Sequence, residues 1–137
     1  MSRKDNYFEH DADVGIIGYG TSMEACFADA AKAMFALMAD LSAVHPSHEI
    51  NVEFTEEDIE LAFVTWLNLL IGQAQANNLI LAEFELKKTG FFWQGKARGE
   101  SWHAGIERGI EVKGATLTLL SVKQKDDLWQ AKCVVDV

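Results

Sequence analysis

The sequence predicts an α+β fold, two helices packed on an antiparallel or mixed β-sheet, in a single domain over residues 1–137. Three observations predict it. Two stretches carry apolar residues at the three-and-four spacing of a buried helix face. Several short segments alternate apolar and polar residues and are joined by hairpin-like turns. Strands and helices do not alternate as a βαβ series requires, and neither a linker nor a repeat divides the chain. A chain of 137 residues, 49% hydrophobic, has enough apolar material for one sizeable core. One proline and ten glycines are not the composition of a disordered protein.

Residues 6–10 and 14–20 read as two short strands around the acidic turn His10-Asp11-Ala12-Asp13. The second, Val14 to Gly20, is punctuated by glycines, which mark bulges or close backbone approach in a strand. Its order, GxxGxG, lacks the βαβ setting of a dinucleotide loop, so a glycine-rich strand packed on a helix is expected. Thr21-Ser22-Met23-Glu24 reads as a capping box, with the Thr21 hydroxyl at the N-cap. The helix it opens is expected to run to about Leu41, burying Phe27, Ala31, Met34, Met38 and Leu41. A polar loop, 40–48, holds Pro46.

Ile50, Val52 and Phe54 alternate with polar residues as in a half-buried strand. Thr55 is expected to cap a second helix reaching about Ala76, with three acids favourable at its positive end. Its apolar residues nearly encircle it, so it is placed centrally. The remainder reads as β. Segments 80–86 and 91–98 form a hairpin across Lys88-Thr89-Gly90, 99–109 is an irregular excursion, and 111–122 pairs with 128–137 in a final hairpin.

The net charge of −9 excludes direct, high-affinity binding to RNA or DNA, which depends on Lys and Arg displacing counterions. It favours a cationic partner or a metal. No apolar run approaches the ~20 residues that span a bilayer, and no signal peptide is read at the N-terminus. Cys26 and Cys133 lack CxxC spacing and are expected to be buried, reduced and cytoplasmic.

Candidate chemistry lies at the acids. Asp11 and Asp13 flank Ala12, and in extended backbone their side chains share a face. Asp136 and the carboxylate of Val137 end a strand-like run, and ordered carboxylates suit a hard divalent cation. The other reading is that Asp11 and Asp13 are solvated turn residues and Asp136 a surface residue. His45 and His48 sit in a loop with no third ligand nearby and read as solvated. His10 has no Ser or Cys nucleophile beside it. Trp102, next to His103 in the irregular excursion, is the one tryptophan expected outside the core.

Phe8-Glu9-His10-Asp11-Ala12-Asp13-Val14-Gly15-Ile16, Trp66-Leu67-Asn68-x-Leu70, Glu111-Val112-Lys113, Trp129-x-Ala131 and Val135-Asp136-Val137 together resemble the archease family, in order and over essentially the whole chain. The resemblance implies a small acidic accessory protein of an RtcB-type RNA ligase, promoting ligase guanylylation and turnover in tRNA splicing and RNA repair. It implies a divalent metal, calcium first, on Asp13, Asp136 and Val137, with His10 and Asp11 as second-shell or partner-facing residues. It implies no catalytic residue. One departure is that many members carry a Tyr-His pair where this chain has Thr116-Leu117-Thr118-Leu119-Leu120. Two alternatives stand beside this reading: a small metal-dependent hydrolase using Asp11, Asp13, Asp136 and His10, and a chaperone-like module using apolar helix faces.

Overall fold

A computed structural model describes residues 4–137 of the chain. Two helices, α1 (Met23–Ala36) and α2 (Ile59–Ala76), pack with eight strands: β1 (Tyr7–His10), β2 (Asp13–Gly20), β3 (His48–Thr55), β4 (Leu79–Thr89), β5 (Phe92–Ser101), β6 (Gly114–Ala115), β7 (Ser121–Lys125) and β8 (Leu128–Asp136). The α+β expectation holds, but the strands form two sheets instead of one. The first runs β1-β2-β8-β6, with β7 also on β8, and the second runs β3-β5-β4. Every described pairing is antiparallel, which removes the mixed alternative.

The glycine-rich segment is a strand, as expected. β2 pairs antiparallel with β8, and α1 lies flat on it. A Cβ at Gly18 would collide with the Cys26 carbonyl and the Ala30 backbone, so only glycine permits that approach. Asn6 ties the layers together. Its buried amide donates to the Ile17 carbonyl at 2.6 Å and to Asp29 Oδ2 at 3.1 Å, and the same carboxylate oxygen accepts the Tyr19 N–H at 2.9 Å.

Both helix caps differ from expectation. Ser22, not Thr21, caps α1, accepting the Ala25 N–H at 3.0 Å. With Ala25 three residues on, no carboxylate returns the bond. Asp58, not Thr55, caps α2, accepting the Leu61 N–H at 3.1 Å. Thr55 is spent in β3, where it pairs with Phe92. The first helix also stops at Ala36 rather than near Leu41. The N–H groups of Gly109 and Ile110 reach the Met38 and Leu37 carbonyls at 2.7 and 2.8 Å, supplying partners that a further turn would otherwise have provided.

The core lies between the sheets. Phe27, Phe35, Phe63, Trp66, Leu67, Leu70 and Trp93 are fully buried. Trp93 stacks between Phe27 and Phe54, with centroids 5.2 and 5.8 Å away. The Trp66 indole donates to the Phe27 carbonyl at 3.0 Å, joining α2 to α1. Truncating a buried ring of this kind costs about 3–5 kcal/mol. The second helix is not buried all round: Leu61 is 41% exposed and one side carries Glu60, Asn68 and Gln75. No helix among the described residues is long and apolar enough to cross a membrane.

Cys26 and Cys133 are free and buried, as expected. Burial pushes both thiols up to about 12, and they stay neutral at ordinary pH. Trp102 is half-buried rather than outside the core, with the Arg108 guanidinium 4.0 Å from its ring centroid. The excursion beside it is shorter than expected, because β5 continues to Ser101. The expected strand 111–122 is broken in two: β6 is two residues long, and Thr116–Leu120 forms a loop before β7. In that loop Leu119 adopts φ 53°, a left-handed conformation costing a residue with a Cβ roughly 1–2 kcal/mol.

Candidate metal centre

The acidic residues are placed by two hairpins and one side chain from α2. β1 and β2 meet in a tight turn, with His10 paired to Asp13. Asp11, in the turn, has φ 51°. It is therefore not extended, and the shared-face argument that grouped it with Asp13 does not apply. Its carboxylate projects into solvent at 91% exposure, 3.9 Å from the His10 ring. His10 is half-buried beside it.

Asp13 opens β2, next to the ladder pair Val14–Val135. The same antiparallel register carried one step further sets Asp13 opposite Asp136. A hydrogen bond locks this placement: Asp13 Oδ1 accepts the Val137 N–H at 3.2 Å, across 124 residues of sequence. On the other side of β8, Gly114 pairs with Asp136, and the Lys113 N–H donates to the Asp136 carbonyl at 2.8 Å. Asp136 therefore has its backbone fixed while its side chain remains exposed.

Asn68 enters the sequence reading only as part of the Trp66-Leu67-Asn68-x-Leu70 motif, which does not foresee its role here. Its Oδ1 accepts the Ala115 N–H at 2.9 Å and its Nδ2 donates to the Ala115 carbonyl at 3.1 Å. The side chain thus pairs with a backbone unit as a neighbouring strand would. This holds β6, and through it the end of β8, against α2. A lone polar residue among Trp66, Leu67, Leu69 and Leu70 is the signal that marks it.

The structure brings together Asp13, Asp136 and Val137, and leaves Asp11 outside. Among the described residues, no three His, Cys, Asp or Glu side chains converge on a point where a metal could sit. Val137, whose N–H Asp13 accepts, is the remaining member of the expected set. Asp13, Asp136 and Val137 offer only hard oxygen donors, the chemistry calcium takes. Among the described residues, no Lys, Arg or His pairs with Asp13 or Asp136. The remaining histidines are elsewhere. His45 and His48 are exposed, and His103 bonds Glu100 at 3.1 Å.

Residues 6–137 match the Archease protein family (MTH1598/TM1083). A protein archease of Methanothermobacter thermautotrophicus is 33% identical over 135 residues, covering 96% of each chain. One from Sulfolobus acidocaldarius is 31% identical over 134 residues, again covering 96% of each. The solution structure of protein 1598 of Methanobacterium thermoautotrophicum superposes with a TM-score of 0.84 at 30% identity, covering 96% of this chain and 97% of that one. The crystal structure of a Thermotoga maritima archease, described as a possible chaperone, shares the fold at a TM-score of 0.64 and 20% identity, covering 95% of this chain and 94% of that one.

Proposed function

This chain belongs to the archease family, and on that premise we propose that it is a non-enzymatic, metal-binding activator of an RtcB-type RNA ligase. It promotes guanylylation of the ligase, and so its turnover, in tRNA splicing and RNA repair in the cytoplasm. One observation carries the reading. Asp13 accepts the Val137 N–H at 3.2 Å, which gathers carboxylates from distant parts of the chain at one end of β2 and β8, with no cation among the described residues paired to them. Ordered carboxylate oxygens with no internal counter-charge suit a hard divalent cation.

In this reading Asp13, Asp136 and Val137 hold a divalent ion, calcium first. When bound, the ion supplies the positive charge that offsets their mutual repulsion. The chain's own contribution is rigidity: the β2–β8 ladder, the Lys113 amide and the Asn68 clip fix the backbone under the donors. His10 and Asp11 stand at the turn beside them and face the partner.

The two alternatives fit less well. A hydrolase built on Asp11, Asp13, Asp136 and His10 would need Asp11 to fold back from its solvent-facing turn. A chaperone using apolar helix faces would need faces that α1 and α2 already spend on the core.

The test is a guanylylation assay with purified ligase, GTP and manganese. The chain should accelerate guanylylation, hydrolyse no phosphoester by itself and leave aggregation of an unrelated protein unchanged. Its net charge of −9 should also keep it from saturable tRNA binding at physiological salt. Unaltered ligase kinetics at excess chain, or sub-micromolar tRNA binding, would overturn the reading.

A further inference from the structure

Leu117, at 62%, is the most exposed large apolar side chain of the described surface, and Leu119, two residues on, is 52% exposed. Their loop is not slack. The Thr116 N–H and hydroxyl both donate to the Val134 carbonyl, at 3.0 and 2.8 Å, and the Val134 N–H donates to the Thr118 carbonyl at 3.1 Å. The Thr118 N–H closes the loop on Thr116 Oγ1 at 3.2 Å. Two leucines are thus held out in water on a fixed frame.

The backbone adds a second observation. Four described non-glycine residues have positive φ: Asp11, Asn78, Leu119 and Asp126. Three are Asp or Asn, which tolerate that region, whereas leucine does not. Strained backbone is retained where a side chain is needed in a particular place. The location is the third. Val134 lies two residues before Asp136 on β8, roughly 7 Å along the strand, and β6, at the base of the loop, pairs with Asp136 itself.

We propose that Leu117 and Leu119 form an apolar knob that docks on the same partner that receives the acidic edge. The matching socket is apolar and bordered by cationic side chains, because one approach must desolvate two leucines beside Asp13 and Asp136 on a chain of net charge −9. This rests on the activator reading and names the contact that would give it affinity. The acids alone, exposed to salt, would steer the encounter more than they would hold it.

The experiment titrates purified RtcB-type ligase with the full chain and four variants, reading half-saturation of guanylylation, calcium affinity and Tm. Leu117→Asp should raise half-saturation about tenfold to hundredfold with calcium affinity unchanged. Leu119→Asn should also raise it, while raising Tm by relieving the left-handed strain. Leu128→Asp, at another exposed leucine at the far end of β8, should change neither half-saturation nor calcium affinity. Asp136→Ala should abolish activation and calcium binding together. If the unmodified chain fails to activate, the activator reading falls. If it activates and Leu117→Asp matches it, only the knob falls. Equal weakening by Leu128→Asp, or a dimer of this chain that Leu117→Asp dissolves without touching activation, would also overturn the knob.

Discussion

Two groups of carboxylates on this molecule meet the same problem and solve it differently. On the outer face of the second sheet, Glu49, Glu83 and Glu85 surround Arg98, at 3.0, 3.8 and 3.2 Å. The cation comes from within the chain, on the strand between theirs, and the glutamates in turn hold the guanidinium protonated, Glu85 most of all. At the ends of β2 and β8 in the first sheet, Asp13 and Asp136 have no such partner among the described residues, and Asp13 makes do with one backbone N–H. Around Arg98, three carboxylates share one guanidinium, a cluster cross-linked within the chain and read as structural. The carboxylates of Asp13 and Asp136, fixed in position without such a cross-link among the described residues, are the ones the activator proposal addresses to a cation outside the chain.

The sharpest break in this comparison comes from removing the acids of each group. Asp13→Ala or Asp136→Ala is expected to abolish ligase activation with the fold intact by circular dichroism, since neither side chain is in the core. Removing a glutamate around Arg98 should leave activation untouched. Equal losses from both groups would erase the distinction. Next in size is an extension of the C-terminus. It turns the Val137 carboxylate into a neutral amide carbonyl, and calcium ligands tolerate little displacement from ~2.3–2.6 Å. Calorimetry should show weaker calcium binding for a C-terminal tag than for the same tag ahead of Met1. Equal affinity would leave Asp13 and Asp136 as the only protein ligands to test.

A smaller effect is expected from Arg98→Ala. The guanidinium is half-buried at the sheet surface, so its loss should give a modest fall in Tm that shrinks as salt screens the glutamates, with calcium affinity unchanged. The smallest concerns pH. The thiols of Cys26 and Cys133 are raised in the fold from 9.0 to about 12. Their contribution to stability is complete below pH 9 and is lost as pH rises toward 12, because the unfolded chain releases those protons first. Cys133→Ala should therefore flatten the alkaline fall in Tm relative to the unmodified chain. Parallel alkaline profiles would refute this.

Much of this arrangement was legible in the sequence, and the parts that were not share a cause. Both helices, the β1–β2 hairpin, the β4–β5 hairpin and the buried cysteines follow from local periodicity and turn chemistry. The cap positions were harder, because Thr21-Ser22 and Thr55 to Asp58 each offer neighbouring residues able to cap. The choice fell to β3, which extends through Thr55. The end of α1 was hidden because Met38 and Leu41 continue the helical period, while the segment that captures the Leu37 and Met38 carbonyls lies some 70 residues later. The break in the 111–122 strand was hidden likewise: Thr116 and Thr118 look β-prone, and only their bonds to Val134 make them a loop. At the acids, the spacing of Asp11 and Asp13 suggested a pair, and a single left-handed residue separates them. The Asp13–Val137 bond joins the two ends of the chain, and no local pattern reveals it.

The two bonds from Asn68 to Ala115 have a consequence for how this edge breathes. A two-residue strand at the rim of a sheet would ordinarily fray by itself, exchanging its amide protons with water long before the interior opens. Here the Ala115 amide is held by a side chain rooted in α2, between Leu67 and Leu69. Opening that rung means letting go of the helix that anchors Trp66. Hydrogen exchange at Ala115 should therefore be slower than at an unclipped rim strand, and this outlying scrap of sheet borrows its order from the helix.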